Sequence, residues 1–106
     1  MERDRPGGVW SLAIDDHDTL WLWDHFHGLR ATPALLRLDA LGQGTHRVFA
    51  LEQLLAILTE QTGRPSHFWM RRFSNGLVTR TLPDAVEVYA IDTWSQSIVR
   101  FTFHAS

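Results

Sequence analysis

The chain has 106 residues, of which ten are basic, all of them arginine, and twelve are acidic, for a formal charge of −2 with the histidines neutral. That length suits one domain with a single hydrophobic core. The absence of cysteine excludes disulfides, thiolate zinc sites and cysteine nucleophiles, and the net acidity disfavours general nucleic-acid binding, which needs a basic footprint.

The opening segment "MERDRPGG" combines charges, proline and two glycines without an apolar run. It is expected to be a mobile leader over 1–8, preceding a single α+β domain over 9–106. The leader lacks the apolar region of a secretory signal, and the apolar runs elsewhere are much shorter than the ~20 residues that span a bilayer. A cytoplasmic location with no membrane association is therefore the expectation.

Next, "VWSLAI", "DDHD" and "TLWLWDHFH" read as strand, turn and strand. Trp10, Leu12 and Ile14 alternate on one side of the first strand, and the acidic tetrad interrupts the apolar pattern. The piece "ATPALLRLDALG" fits a second short helix over 33–41, with Thr32 as its cap, Pro33 in its first turn and Gly42 beyond its end. Its alternative is a strand that pairs through "GQG" with "THRVF".

The main helix is expected over 50–62, where Leu51, Leu54, Leu55 and Leu58 recur on one face and Glu52, Gln53, Glu60 and Gln61 occupy the other. Gly63 and Pro65 end it. Beyond it, "HFWMRRF", "SNG" and "LVTRTL" read as a hairpin, followed by strands in "PDAVEVYAID" and "SIVRFTF". Strands joined by short turns are antiparallel. The fold class expected is α+β, a curved antiparallel sheet of about five to six strands packed on the 50–62 helix.

The candidate sites follow from this pattern. On a strand, Trp21, Trp23, His25 and His27 share one face, and the two imidazoles stand about 6.6–6.8 Å apart along it. A metal needs a third ligand that the sequence does not place, so neither a metal nor a cofactor is expected. If a helix covers only one face of the sheet, two tryptophans on the other face form an interaction surface; otherwise this strand is buried on both sides. Charge is also uneven. Asp15, Asp16, Asp18 and Asp24 cluster early, whereas Arg64, Arg71, Arg72 and Arg80 fall in an acid-free span.

The acidic tetrad reads as a turn rather than a catalytic pair, and no serine or threonine lies in a nucleophile-elbow pattern. These features point to a small non-enzymatic protein-binding module of the inhibitor, immunity or adaptor kind. Its partner is another protein or a second copy, with Trp21, Trp23, His25, His27, Arg71 and Arg72 as binding residues. The alternative is a small-molecule-binding domain or minor enzyme with a tryptophan-lined pocket and His25 and His27 as polar or metal-binding groups.

Overall fold

The structure, a computed structural model, describes residues 9–24, 33–38, 45–64, 76–92 and 96–104. Along these residues the chain forms β1 (Val9–Ile14), β2 (Leu20–Asp24), β3 (Ala34–Leu38), β4 (Thr45–Arg47), α1 (Leu51–Thr62), β5 (Gly76–Leu82), β6 (Ala85–Asp92) and β7 (Ser97–His104). The class is α+β with antiparallel sheets, as the patterning predicts. The expected single sheet, however, is two: β1-β2-β3-β4 and β5-β6-β7 in spatial order.

The division falls between β1 and β5. Thr79 Oγ1 donates to the Ile14 carbonyl at 3.0 Å, and the Asp16 N–H donates to Thr81 Oγ1 at 3.1 Å. Threonine hydroxyls thus meet main-chain groups at this seam, where a continuous sheet would have a backbone ladder. The two sheets share one core.

The β1–β2 hairpin forms as expected, and its register decides which face of β1 is inside. Ala13 lies opposite Trp21 and Ser11 opposite Trp23. Two indoles fill the space on the inner face, and close packing then favours small neighbours beside them. The larger Leu12 and Ile14 project outward and are 60% exposed.

The segment expected as a helix over 33–41 is instead strand β3 through Leu38, paired with β2 on one side and β4 on the other. Its period is two: Leu35 packs beside Trp23 in the main core, while Ala34 and Leu36 join Leu22 in a second apolar cluster on the opposite face. Burial on both faces favours extended backbone here over the local helix preference of the leucines.

Helix α1 forms one residue inside the expected bounds. The Ala50 carbonyl accepts the Leu54 N–H at 3.0 Å. At the other end Gly63 takes a φ of 75°, and its N–H donates to the Thr59 carbonyl at 2.8 Å. Such a left-handed closure is adopted readily by glycine. Leu54 and Leu58 drive into the core formed by Trp21, Trp23, Leu35, Leu77, Val88, Ala90, Val99 and Phe101. Phe49, just before the helix, sets its ring 5.6 Å from those of both Phe101 and Phe103. Among the described residues, no helix is long and apolar enough to cross a membrane.

In the second sheet, Pro83 and Asp84 connect β5 to β6, and the ladder closes at Leu82 opposite Ala85. The hairpin strand expected in "HFWMRRF" and the Asn75-Gly76 turn fall wholly or partly outside the described residues, as does the 1–8 leader.

Removing the buried groups separates core from surface. Leu58→Ala is expected to lose about 2–5 kcal/mol and Trp23→Ala about 3–5 kcal/mol, through lost burial and the cavity left behind. Ile14→Ser, on the outside, should stay within about 0.5 kcal/mol. Urea melts followed by circular dichroism measure all three.

Candidate functional site: a cleft at the mouth of the two sheets

The β1–β2 turn is built around one carboxylate. Asp15 is buried, and its Oδ1 accepts the N–H groups of His17 at 2.8 Å and Thr19 at 3.1 Å. Its Oδ2 accepts the Trp21 indole Nε1–H at 3.0 Å. The Asp15 N–H donates to the Thr19 carbonyl, and Asp18 takes a φ of 61° to close the loop. Aspartate suits this position because it can bond the backbone two residues ahead, and aspartate at Asp18 tolerates a left-handed conformation better than most side chains.

The same carboxylate anchors the indole that floors a cleft. A cavity of about 280 Å³ opens where the β1–β2 turn, the β5–β6 turn and the end of β7 converge. Trp21 and Phe103 meet at its base with ring centroids 4.7 Å apart, inclined by 32°. Polar side chains rim it: His17 from the first turn, Arg37 from β3, Asp84 from the second turn and His104 from the end of β7. His17, Asp84 and His104 are exposed, and Arg37 is half-buried. An apolar base with a few polar groups around it is the usual construction of a small-ligand site, and about 280 Å³ falls near the lower end of the ~300–1,000 Å³ range typical of such sites.

This arrangement brings together few of the residues singled out from sequence. Trp21 and Trp23 are 2% and 0% exposed, so the expectation that they present a docking face is corrected: they are core. The reason is that α1 and the second sheet pack against the tryptophan side of β2, while Leu22 and Leu36 are buried on the other side. Trp21 still borders the cleft. His25, His27, Arg71 and Arg72 lie outside the described residues.

The acidic cluster also divides. Asp15 and Asp24 are buried, whereas Asp16 and Asp18 are exposed. Among the described residues, no group of three or more histidine, aspartate or glutamate side chains is placed to hold a metal ion.

Sequence reasoning did not single out Arg37, Asp84 and Phe103, because three separate elements carry them to one place. Asp15 had a local signal: an aspartate opening a turn, with a tryptophan six residues on. Its carboxylate was readable as a turn former, but its bond to the indole was not.

Asp15→Ala removes the acceptor of three donors at once and leaves a buried indole N–H unpaired. The expected loss is about 1–3 kcal/mol, with a change in Trp21 fluorescence, whereas the exposed Asp16→Ala stays within about 0.5 kcal/mol. Parallel urea melts read by tryptophan emission check the contrast.

No family model, curated protein or solved structure matches the chain, so the chemistry of its own surfaces is what bears on function.

Proposed function

We propose that this chain is a small protein-binding module that docks through the outer face of β1 and β5. The observation that carries the proposal is the exposure of large aliphatic side chains there. Leu12 and Ile14 on β1 are each 60% exposed, and Val78 on the adjoining strand β5 is 50% exposed. Single exposed leucines are ordinary, but neighbouring ones on rigid strands form the kind of apolar patch that marks interaction sites.

Charge flanks the patch on both sides. Asp16 and Asp18 project from the turn after β1, and Arg80 stands on the outer side of β5 with its guanidinium 3.7 Å from Glu87. The Arg80 guanidinium is largely exposed, and the buried Glu87 keeps Arg100 and the Tyr89 hydroxyl as partners, so Arg80 can turn to an acidic group on a docking protein without leaving that carboxylate unpaired. Rim charges of this kind act on the rate of encounter more than on the lifetime of the complex.

A second reading is favoured by the mouth cleft. In it the domain binds a small molecule whose apolar part rests on Trp21 and Phe103, with Arg37, His17 and His104 as polar groups. His25 and His27, the polar groups expected for such a site, lie outside the described residues.

The two are separated by variants that leave the core intact. Leu12→Ser combined with Ile14→Ser should keep the melting temperature within a few degrees, and should weaken binding of a protein partner at least tenfold in pull-down followed by interferometry. If the partner is a second copy, light scattering should show the parent as a dimer and the double variant as a monomer. Arg37→Ala combined with His104→Ala should leave these results unchanged and abolish binding of any small molecule that co-purifies with the parent. Retention of the protein partner by the Leu12/Ile14 variant rejects the docking face.

A further inference from the structure

The last turn of α1 reaches, with one side chain, the edge of β7 that no described strand pairs with. Gln61 Nε2 donates to the Arg100 carbonyl at 2.7 Å, and Gln61 Oε1 accepts the Arg100 N–H at 2.9 Å. One carboxamide thus makes with Arg100 the pair of hydrogen bonds that a residue of a neighbouring antiparallel strand makes.

Among the described residues β7 pairs only with β6. The alternation of an antiparallel ladder sets the N–H and C=O groups of Thr102 and His104 on the same side as those of Arg100. Arg100, Thr102 and His104 are all exposed, so among the described residues main-chain donors and acceptors continue past Gln61 along an edge that no strand covers. An unpaired edge of this kind is a template for another strand.

The side chains beside the edge indicate what that strand carries. Arg80, Glu87, Arg100, Thr102 and His104 share the outer face of the second sheet. Glu87 divides its carboxylate between Arg80 and Arg100, at 3.7 Å from each, and accepts the Tyr89 hydroxyl at 2.9 Å. Two guanidiniums, Arg80 and Arg100, therefore share one carboxylate on this face, with Asp84 the next acid, at the β5–β6 turn beside His104. A second copy's β7 laid antiparallel along residues 100–104 would bring another Arg100 to this face and no carboxylate, since β7 carries no acidic residue, so an acidic segment complements the edge better than a second copy does.

We propose that the β7 edge is a strand-addition site for an extended acidic segment of a partner protein, and that Gln61 occupies the place of that strand until it is displaced. Main-chain bonds to Arg100, Thr102 and His104 provide the attachment, and acidic side chains at alternate positions meet Arg100 and His104. The β7 edge lies across the second sheet from the β1/β5 patch, with Arg80 bordering both, and the Leu12/Ile14 and Gln61 variants test the two proposals independently.

The test titrates the full chain with three end-capped, fluorescein-labelled ten-residue peptides, read by fluorescence polarisation. One alternates glutamate with valine, the second replaces glutamate with lysine, and the third keeps glutamate but has prolines at alternate valine positions, which removes main-chain donors. The expected result is binding of the first, with the other two at least tenfold weaker. Gln61→Ala should strengthen binding of the glutamate peptide about threefold to tenfold by removing the internal competitor, and Arg100→Glu should weaken it. In the unaltered protein, the peptide should slow hydrogen exchange at the Thr102 and His104 amides, a measurement that does not depend on how any variant folds.

Leu12→Ser with Ile14→Ser should leave peptide binding unchanged. Equal binding of the proline peptide, no gain from Gln61→Ala in a folded protein, or unaltered exchange at Thr102 and His104 overturns the proposal. So does dimerisation of Gln61→Ala in light scattering, which would assign the edge to a second copy.

Discussion

The hydrogen bond from the Trp21 indole to the Asp15 carboxylate ties a turn to the core, and much of the molecule is arranged around the two indoles that β2 carries inward. Burying a tryptophan removes about 150–250 Å² from water, worth about 4–6 kcal/mol each at ~25 cal/mol per Å². Side chains of that size need room on every neighbouring element. On β1 the room comes from Ser11 and Ala13. Across the core it comes from Ala90, Val88 and Val99 on the second sheet, with Leu54 and Leu58 of α1 closing the space.

The outward turn of Leu12 and Ile14 follows from the same constraint. A strand has only two faces, and once small residues occupy the inner one, the next positions point to solvent. The apolar patch proposed for docking is therefore coupled to the core through the register of one hairpin. A one-residue slip between β1 and β2 would exchange the two faces of β1. Asp15 opposes such a slip, since its carboxylate bonds the turn backbone and the Trp21 side chain together.

The two sheets also handle their edges differently. At the β1/β5 seam, the hydroxyls of Thr79 and Thr81 meet main-chain groups of Ile14 in β1 and of Asp16 in the turn after it, joining the sheets without a ladder. At β7 the Gln61 carboxamide does the same for Arg100. In both places a side chain substitutes for a strand. The seam lies between two sheets, whereas among the described residues the β7 edge is met by one exposed glutamine from a helix end. That difference makes the β7 edge the more readily opened of the two.

The sequence by itself determined the elements whose signals are local. The 50–62 leucine repeat with Gly63 specified α1 within a residue, because helical periodicity and a left-handed closing residue act over neighbouring turns. The β1–β2 hairpin and the strands of "AVEVYAID" and "SIVRFTFH" were likewise legible, since alternation and short connections require antiparallel pairing. Only the tertiary structure decided which face of each strand is inside, that Ala34–Leu38 is strand and not helix, and that the tryptophans are core rather than surface. Those outcomes depend on what packs against each face. In "ALLRL" the leucines are compatible with either period, and the balance was tipped by Trp23 beside Leu35 and by Leu22 beside Leu36. The cleft was equally hidden, for its rim combines Arg37, Asp84 and His104 from elements far apart in the chain, and their proximity arises from how two sheets close on a pair of indoles.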